Sequence, residues 1–395
     1  MAIKKAPTCL DLCVTTDDFE AAAKETLSEK SWVYVSSSAA SGLSHQSNLD
    51  DWSRINFRPR IMRNVNSIDT SRNILGRKSK LPFFISAMGT LGSVHPGAEP
   101  LLVEGATRNG VDVVISTATS KPLEAIMKAH LDEQERLGNL SPSRLAFQLY
   151  VPSDRMKARE LIQRVKAAGY QSLWITVDSS TQGKRTADRY LQAQEKLDQG
   201  GEVVREAAAD NAFGPAFGGR PTAGYLHPAL NWEDLAWISQ EWKGPVVLKG
   251  VQSVEDVRLA VQYGVQGVLL SNHGGRQIHS APSALMTLLE IHTYYPEAFD
   301  KLEVFLDGGL RDGADVLKAL CLGATAVGVG RPYGYALAAY GAEGVDKCTS
   351  ILTEELEICM KMLGVSSLQQ LHPDMVNATR LLSEMWRPMS VRPRL

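Results

Sequence analysis

Val246-Val247-Leu248-Lys249-Gly250-Val251, then Ser253-Val254-Glu255-Asp256, then Gly267-Val268-Leu269-Leu270-Ser271: these three pieces, read in order, decide the fold. The outer two are short and almost unbroken in apolarity, which is how strands of a parallel sheet buried on both faces read. The middle piece resembles a capping box ahead of Val257, Ala260 and Val261, and Gly264 closes the helical pattern. Strand, helix and strand in succession predict one complete βα unit and the start of the next.

The same alternation extends in both directions. Apolar runs at Phe83 to Ala87, Val111 to Ser116, Leu145 to Val151 and Ser172 to Val177 precede this stretch, and Val304 to Leu306 and Ala326 to Val329 follow it. After the third run Ser153 or Asp154 can cap a helix that carries Leu161, Ile162, Val165 and Ala168 on one face and ends at Gly169. After the seventh, Asp315 to Leu322 is apolar at helical spacing up to Gly323. Strand-then-helix units repeated over about 250 residues predict an α/β protein of the (β/α)8, or TIM, barrel class. An open doubly wound sheet is the alternative, and the strand count disfavours it.

Two segments stand outside the repeat. Residues 1–80 are expected to form an extension packing on the barrel, with a helical piece from Asp17 to Leu27 and with Trp32 to Tyr34 covering the barrel bottom or reaching its rim. Residues 189–230, rich in glycine, alanine and charge, have no sustained period and are expected to form a lid-like insertion after the fourth strand. The barrel is placed at 81–371 and a C-terminal tail at 372–395.

Composition narrows the function classes. The 395 residues are 44% apolar and 22% charged, ordinary for a globular chain, which argues against disorder or a coiled coil. Lys plus Arg is 42 against Asp plus Glu at 44, so no basic excess points to nucleic acid. No stretch reaches the ~20 consecutive apolar residues of a membrane span, and Met1 to Thr15 lacks a signal-peptide pattern, so no membrane anchor is expected. Cys9, Cys13, Cys321, Cys348 and Cys359 show no CxxC spacing, which suggests neither a disulfide framework nor a metal site and fits the cytoplasm. Pro393-Arg394-Leu395 sits near the Ser-Lys-Leu type of peroxisomal address, but proline replaces the small first residue, and a frayed tail is the preferred reading.

In a TIM barrel the reactive groups sit at the C-terminal ends of the strands. Those ends offer Ser116-Thr117, Gln148 and Tyr150, Thr176 and Asp178, Lys249, then Ser271, His273 and Arg276, then Asp307-Gly308-Gly309 and Gly330-Arg331. Packing alone has no need for a polar residue at nearly every strand end. The glycines and arginines of the last two units, with Arg311, suit an anion such as a phosphate, although an Asp-Gly-Gly taken alone is equally a tight turn. In Ser271-Asn272-His273-Gly274-Gly275-Arg276-Gln277 an imidazole able to act as a base near neutrality lies three residues from an arginine able to hold a carboxylate bidentately. An isolated histidine is more often structural, but flanking glycines allow a ligand to approach this one.

This heptapeptide resembles the signature of the FMN-dependent L-2-hydroxy-acid oxidases and dehydrogenases, among them glycolate oxidase, lactate oxidase, mandelate dehydrogenase and the flavin domain of lactate:cytochrome c reductase. The likeness runs from about Asp17 to Leu371 and includes Leu75-Gly76, Phe147 to Tyr150, Thr176-Val177-Asp178, Val247 to Gly250, Phe305 to Gly309 and Gly330-Arg331-Pro332 in family order. It implies a homo-oligomeric TIM barrel that binds FMN without a covalent link and oxidises a small 2-hydroxy acid, lactate-like, glycolate-like or larger.

The resemblance implies a role for each matching residue. His273 is expected to take a proton from the substrate, and Asp178 to fix the imidazole and stabilise its charged form. Arg276 and Tyr34 bind the substrate carboxylate, Arg185 is a second cation nearby, and Tyr150 hydrogen-bonds the hydroxyl that becomes a ketone. Lys249 sits by the flavin N1 and O2 edge. Ser116, Gln148, Thr176 and Ser271 match contacts to the isoalloxazine or ribityl chain, and Asp307, Gly308, Gly309, Arg311, Gly330 and Arg331 match the ribityl and phosphate contacts. Ala87-Met88-Gly89 stands where relatives have Pro-x-Ala or Pro-x-Gly, so backbone contacts with the flavin there are expected without the rigid proline. Ala118 leaves room beside the substrate side chain.

The resemblance leaves the electron acceptor open. The roughly 80 residues ahead of the first strand are short for a haem domain, so oxygen, a quinone or a separate carrier protein is expected. Redox-neutral chemistry on a flavin barrel, or flavin binding without catalysis, are the competing readings; the intact His273, Arg276, Asp178 and Tyr150 set argues against both.

Overall fold

A computed structural model describes residues 9–198 and 226–388. Eight parallel strands close into a barrel in sequence order: β1 (Phe83–Ile85), β2 (Asp112–Ser116), β3 (Leu145–Leu149), β4 (Leu173–Thr176), β5 (Val246–Val251), β6 (Gly267–Leu270), β7 (Glu303–Asp307) and β8 (Ala326–Val329). The seam is a parallel pairing of β8 with β1, Val327 opposite Phe83 and Val329 opposite Ile85. Every apolar run read from the sequence is one of these strands.

Strand periodicity sorts the side chains into layers. Ile85, Val113, Ile115, Phe147, Leu173, Ile175, Leu248, Val268, Val304 and Leu306 point outward into the main core beneath the helices. Phe84, Val114, Trp174, Val247, Leu269, Phe305 and Ala326 point inward and form a separate core inside the barrel. Three rings anchor it: the centroid of Trp174 lies 5.0 Å from Phe84 and 5.1 Å from Phe305. Both faces of each strand are thus buried, which is why the runs show no polar alternation.

The helices begin where the caps predict. Asp154 accepts from the Met156 and Lys157 amides at the start of Arg155–Ala167, and Ser253 accepts from Asp256 N at the start of Val254–Gln262. Gly169 and Gly264 follow with φ of 94° and 71°, where a side chain would be strained. The long helix after β8, Arg331–Leu363, is broken at Gly341.

The N-terminal extension supplies both ends of the barrel. Helices Thr16–Thr26, Glu29–Ser36 and Leu43–Ser53 lead to the C-terminal rim, while the hairpin Arg72–Ile74 and Arg77–Ser79 delivers Ile74 and Leu75 to the opposite end, where they pack on the inner core. The segment after residue 372, expected as a tail, is integrated instead: Val376–Asn377 pairs antiparallel with Asn56–Phe57, and Leu381 and Met385 join the core. The insertion after β4 opens with a helix, Thr186–Asp198, where no period was expected, tied to the extension by a Lys30–Glu195 ion pair of 2.9 Å. Its continuation to residue 225, on which the lid reading falls, lies outside the described residues. No described helix is long and apolar enough to cross a membrane.

Candidate active site

Two residues beyond the inner core, along the same strands, the inward positions turn polar: Ser86, Ser116, Gln148, Thr176, Lys249, Ser271 and Asp307. Above this layer lies a cavity lined by Tyr34, Ala87 to Gly89, Ser116, Ala118, Gln148, Tyr150, Arg185, Lys249, His273, Arg276, Asp307 to Gly309, Arg311, Gly330 and Arg331, among others. Asp178, Thr176 and Ser271 stand one step behind it, each bonded to a lining residue. All the sequence-predicted site residues therefore converge.

His273 is the centre of one half. Its Nδ1 lies 2.9 and 3.1 Å from the two oxygens of Asp178, and its Nε2 lies 3.3 Å from the Tyr150 hydroxyl. Burial alone would raise the Asp178 pKa, but His273, Lys249 and a hydrogen bond from Ser179 overcome it and hold the carboxyl at about 2. The carboxylate therefore accepts a hydrogen bond from Nδ1–H, fixing that tautomer and leaving a lone pair on Nε2, facing the cavity. Burial, aided by Lys249 and Arg185, lowers the His273 pKa against the opposing pull of Asp178. A neutral imidazole at neutral pH is the form that can accept a proton.

The loop pays for this placement with strained backbone, since His273, Gly274 and Gly275 all have φ between 61° and 76°. Side chains fix it: Ser271 Oγ accepts from His273 N at 3.0 Å, and Asn272 Oδ1 from Gly275 N at 3.0 Å. Gln277 clamps the neighbouring loop, its Nε2 donating to Asp178 O, Ser179 Oγ and Thr181 O and its Oε1 accepting from Gly183 N.

Arg276 Nη1 donates to the Tyr34 and Ser37 carbonyls, each at 2.9 Å, and its guanidinium lies over the Tyr34 ring at 5.2 Å. Arg185 is buried, and its Nε has no hydrogen-bond partner among the described residues. Lys249, 4% exposed, makes no ion pair among the described residues. Three cations thus face one cavity without anions of their own sufficient to neutralise them.

The other half is a cradle. Gln148 Oε1 accepts from Ser116 Oγ and Thr117 N while its Nε2 donates to Thr176 Oγ1. Asp307 accepts from Ser271 Oγ at 2.6 Å and Ser86 Oγ at 3.2 Å, so its carboxylate is already oriented. Gly309 is required: a Cβ there would meet the Asn48 carbonyl at 1.8 Å. Arg311 and Arg331 line this end, although Arg331, read from the sequence as a phosphate partner, also donates to the Val35, Gly274 and Ser37 carbonyls. Burial and the charges of Arg331, Arg311 and Arg276 push nearby His45 down to about 3. Such a field suits an anion such as a phosphate.

Ser86, Asn48, Asn272 and Gln277 escaped the sequence reading. Ser86 was within reach, since it lies two residues beyond Phe84 in the first apolar run. Gln277 and Asn272 sit inside the heptapeptide with no residue-type signal of their own.

Fold and site together define a TIM barrel with an anion cradle beside a histidine–aspartate pair. The family model for FMN-dependent dehydrogenase matches residues 23–378, and the chain belongs to that family. The L-lactate dehydrogenase (cytochrome) of Saccharomyces cerevisiae is 37% identical over 380 residues, covering 94% of this chain and 62% of the relative. The L-lactate oxidase of a Nostoc species is 35% identical over 362 residues, covering 90% and 95%. The solved flavin-binding domain of baker's yeast flavocytochrome b2 superposes with a TM-score of 0.84 at 34% identity, covering 98% of this chain and 94% of that one. The chain spans less than two thirds of the yeast relative's length. FMN is the family's cofactor, and the cradle's donors, glycines and arginines fit it.

Proposed function

We propose that this chain oxidises an L-2-hydroxy acid to the 2-keto acid. The observation that carries the reading is the His273 Nε2 lone pair, held by Asp178 through Nδ1 and facing the same cavity as Arg276, Arg185 and Lys249. FMN, when bound, takes up the two electrons released from the substrate. His273 takes the proton, and Asp178 stabilises the imidazolium that results. Nε and Nη2 of Arg276, which make no hydrogen bond among the described residues, take the carboxylate with Tyr34 and Arg185. Tyr150 orients the hydroxyl toward Nε2. Lys249 lies where its positive charge would favour negative charge arising on the flavin.

The substrate side chain is proposed to lie beside Ala118, which lines the cavity with Leu91 and Val94. Gly89 packs directly on it, since a Cβ there would lie 3.0 Å from the Ala118 Cβ. The electrons then pass to oxygen or to an external carrier. The test is anaerobic: L- and D-2-hydroxy acids from glycolate to mandelate are mixed with the holoenzyme while the visible flavin band is followed. L-acids are expected to bleach it and their D-enantiomers are not, and recovery in air measures oxidase activity. A yellow protein that no L-acid bleaches would refute the reading.

A further inference from the structure

Helix Leu43–Ser53 lies ahead of the barrel, and none of its residues lines the cavity. Yet it touches the loops that follow β6, β7 and β8. Asn48, 1% exposed, exchanges two hydrogen bonds of 2.8 Å with Asn272, Nδ2 to Oδ1 in both directions. The same Asn272 Oδ1 accepts from Gly275 N, so the amide pair extends into the strained loop that carries His273. The Asn48 carbonyl is the atom packed against Gly309, and its Nδ2 would be 3.1 Å from a Cβ on Gly308. One turn on, Trp52 Nε1 donates to Gly308 O at 3.1 Å, and one turn back His45 Nδ1 lies 3.4 Å from Arg331 Nη1. Below these, Asp51 accepts from Ser283 Oγ and Ser44 Oγ donates to Ala281 O.

We infer that this helix is a strap that sets the FMN site, with Asn48 as its positioning residue: cofactor affinity depends on a helix that does not touch the cofactor. The physical reason is loop geometry. The Gly308–Gly309 turn and the His273–Gly275 turn hold left-handed backbone that glycine-rich sequence does not fix by itself. The amide pair ties one turn to the other through a buried contact with all its bonds satisfied. Binding is then reciprocal, so FMN must also steady the strap.

This inference rests on the reading that Gly308, Gly309, Arg311 and Arg331 receive the phosphate end, and the experiment separates the two. FMN is titrated into the apoprotein by flavin fluorescence quenching. Asn48→Leu, similar in size but unable to pair with Asn272, is expected to raise the FMN Kd by about 10-fold or more, with the far-ultraviolet spectrum of the apoprotein unchanged and its melting midpoint lowered by the buried partners that Asn272 loses. Trp52→Phe, which removes one N–H and keeps a ring, is expected to raise it about 3-fold. In the unmodified protein, FMN should slow amide hydrogen exchange across residues 43–53. If both variants bind FMN within twofold of the parent, the strap is refuted; if Asn48→Leu does not fold, an unchanged Kd in Trp52→Phe refutes it alone. Absence of FMN-dependent exchange in the helix also overturns it. Arg311→Met reports on the phosphate end: an unchanged Kd there sinks that reading, whereas a weakened Kd with unaffected strap variants sinks only this one.

Discussion

The inside of the barrel has two layers separated by two residues along the same strands. In the lower, Phe84, Val114, Trp174, Val247, Leu269, Phe305 and Ala326 pack on one another. In the upper, Ser86, Ser116, Thr176, Lys249, Ser271 and Asp307 stand directly above six of them. The charges below this core meet partners locally: Arg144 pairs with Asp112 at 2.7 Å, and Glu303 accepts from Leu75 N at 2.8 Å with the charges of Arg72 and Arg144 acting on it. Above it, Lys249 and Arg185 are buried cations left for a ligand. One layer supplies stability and the other keeps interactions open, so substitutions in the two should fail in different ways.

The largest effect is expected at His273. Replacing it with Gln should lower the rate of anaerobic flavin reduction by about 10^2- to 10^4-fold, with FMN still bound and the melting temperature near that of the parent. Stopped-flow absorbance measures the rate; turnover that survives the change would break the distinction between layers. Phe305→Ala attacks the lower layer, and urea unfolding should show about 3–5 kcal/mol of lost stability. The protein that remains folded should reduce its flavin at the parental rate. Lys249→Met is the upper-layer counterpart, expected to slow flavin reduction by about 10^2-fold. Its stability should change little, because relief of the lysine's desolvation is offset by the loss of a cation that holds the buried Asp178 carboxylate ionised.

How much of this is legible in the sequence follows from range. The strands are local signals, since β-branched runs with both faces buried leave a continuous apolar trace, as Val246 to Val251 does. The polar upper layer is also local, a matter of position along each strand, which is why His273, Lys249 and Asp307 stand out. Asn48 does not, because its partner Asn272 is 224 residues away and an asparagine in a polar helix carries no mark of burial. Arg331 was legible as a cation at a strand end, but the three carbonyls that orient it come from other segments, Val35, Ser37 and Gly274. The tail was misjudged for the same reason: Val376 is covered by pairing with Phe57, a contact made across most of the chain.

The smallest effect expected is a shift in pH dependence, and its sign tests how the upper layer works. His273 must be neutral to accept a proton, and burial places its folded pKa below the ordinary 6.5. The rate kcat/KM should therefore be level above that value and fall as pH drops through the lowered pKa, tenfold per unit once well below it. Asp178, held at about 2, stays ionised throughout, so this limb belongs to the imidazole. Lys249 and Arg185 push the imidazole pKa down, and Asp178 pulls it up. Lys249→Met should thus move the acid limb to higher pH, whereas Asp178→Asn should move it lower. Opposite shifts in the pH profiles of the two variants are the outcome expected of charges that act on Nε2 through a shared buried site. Shifts in the same direction, or none, would mean that the cations and the carboxylate do not sense the base, and that the upper layer is a set of separate contacts.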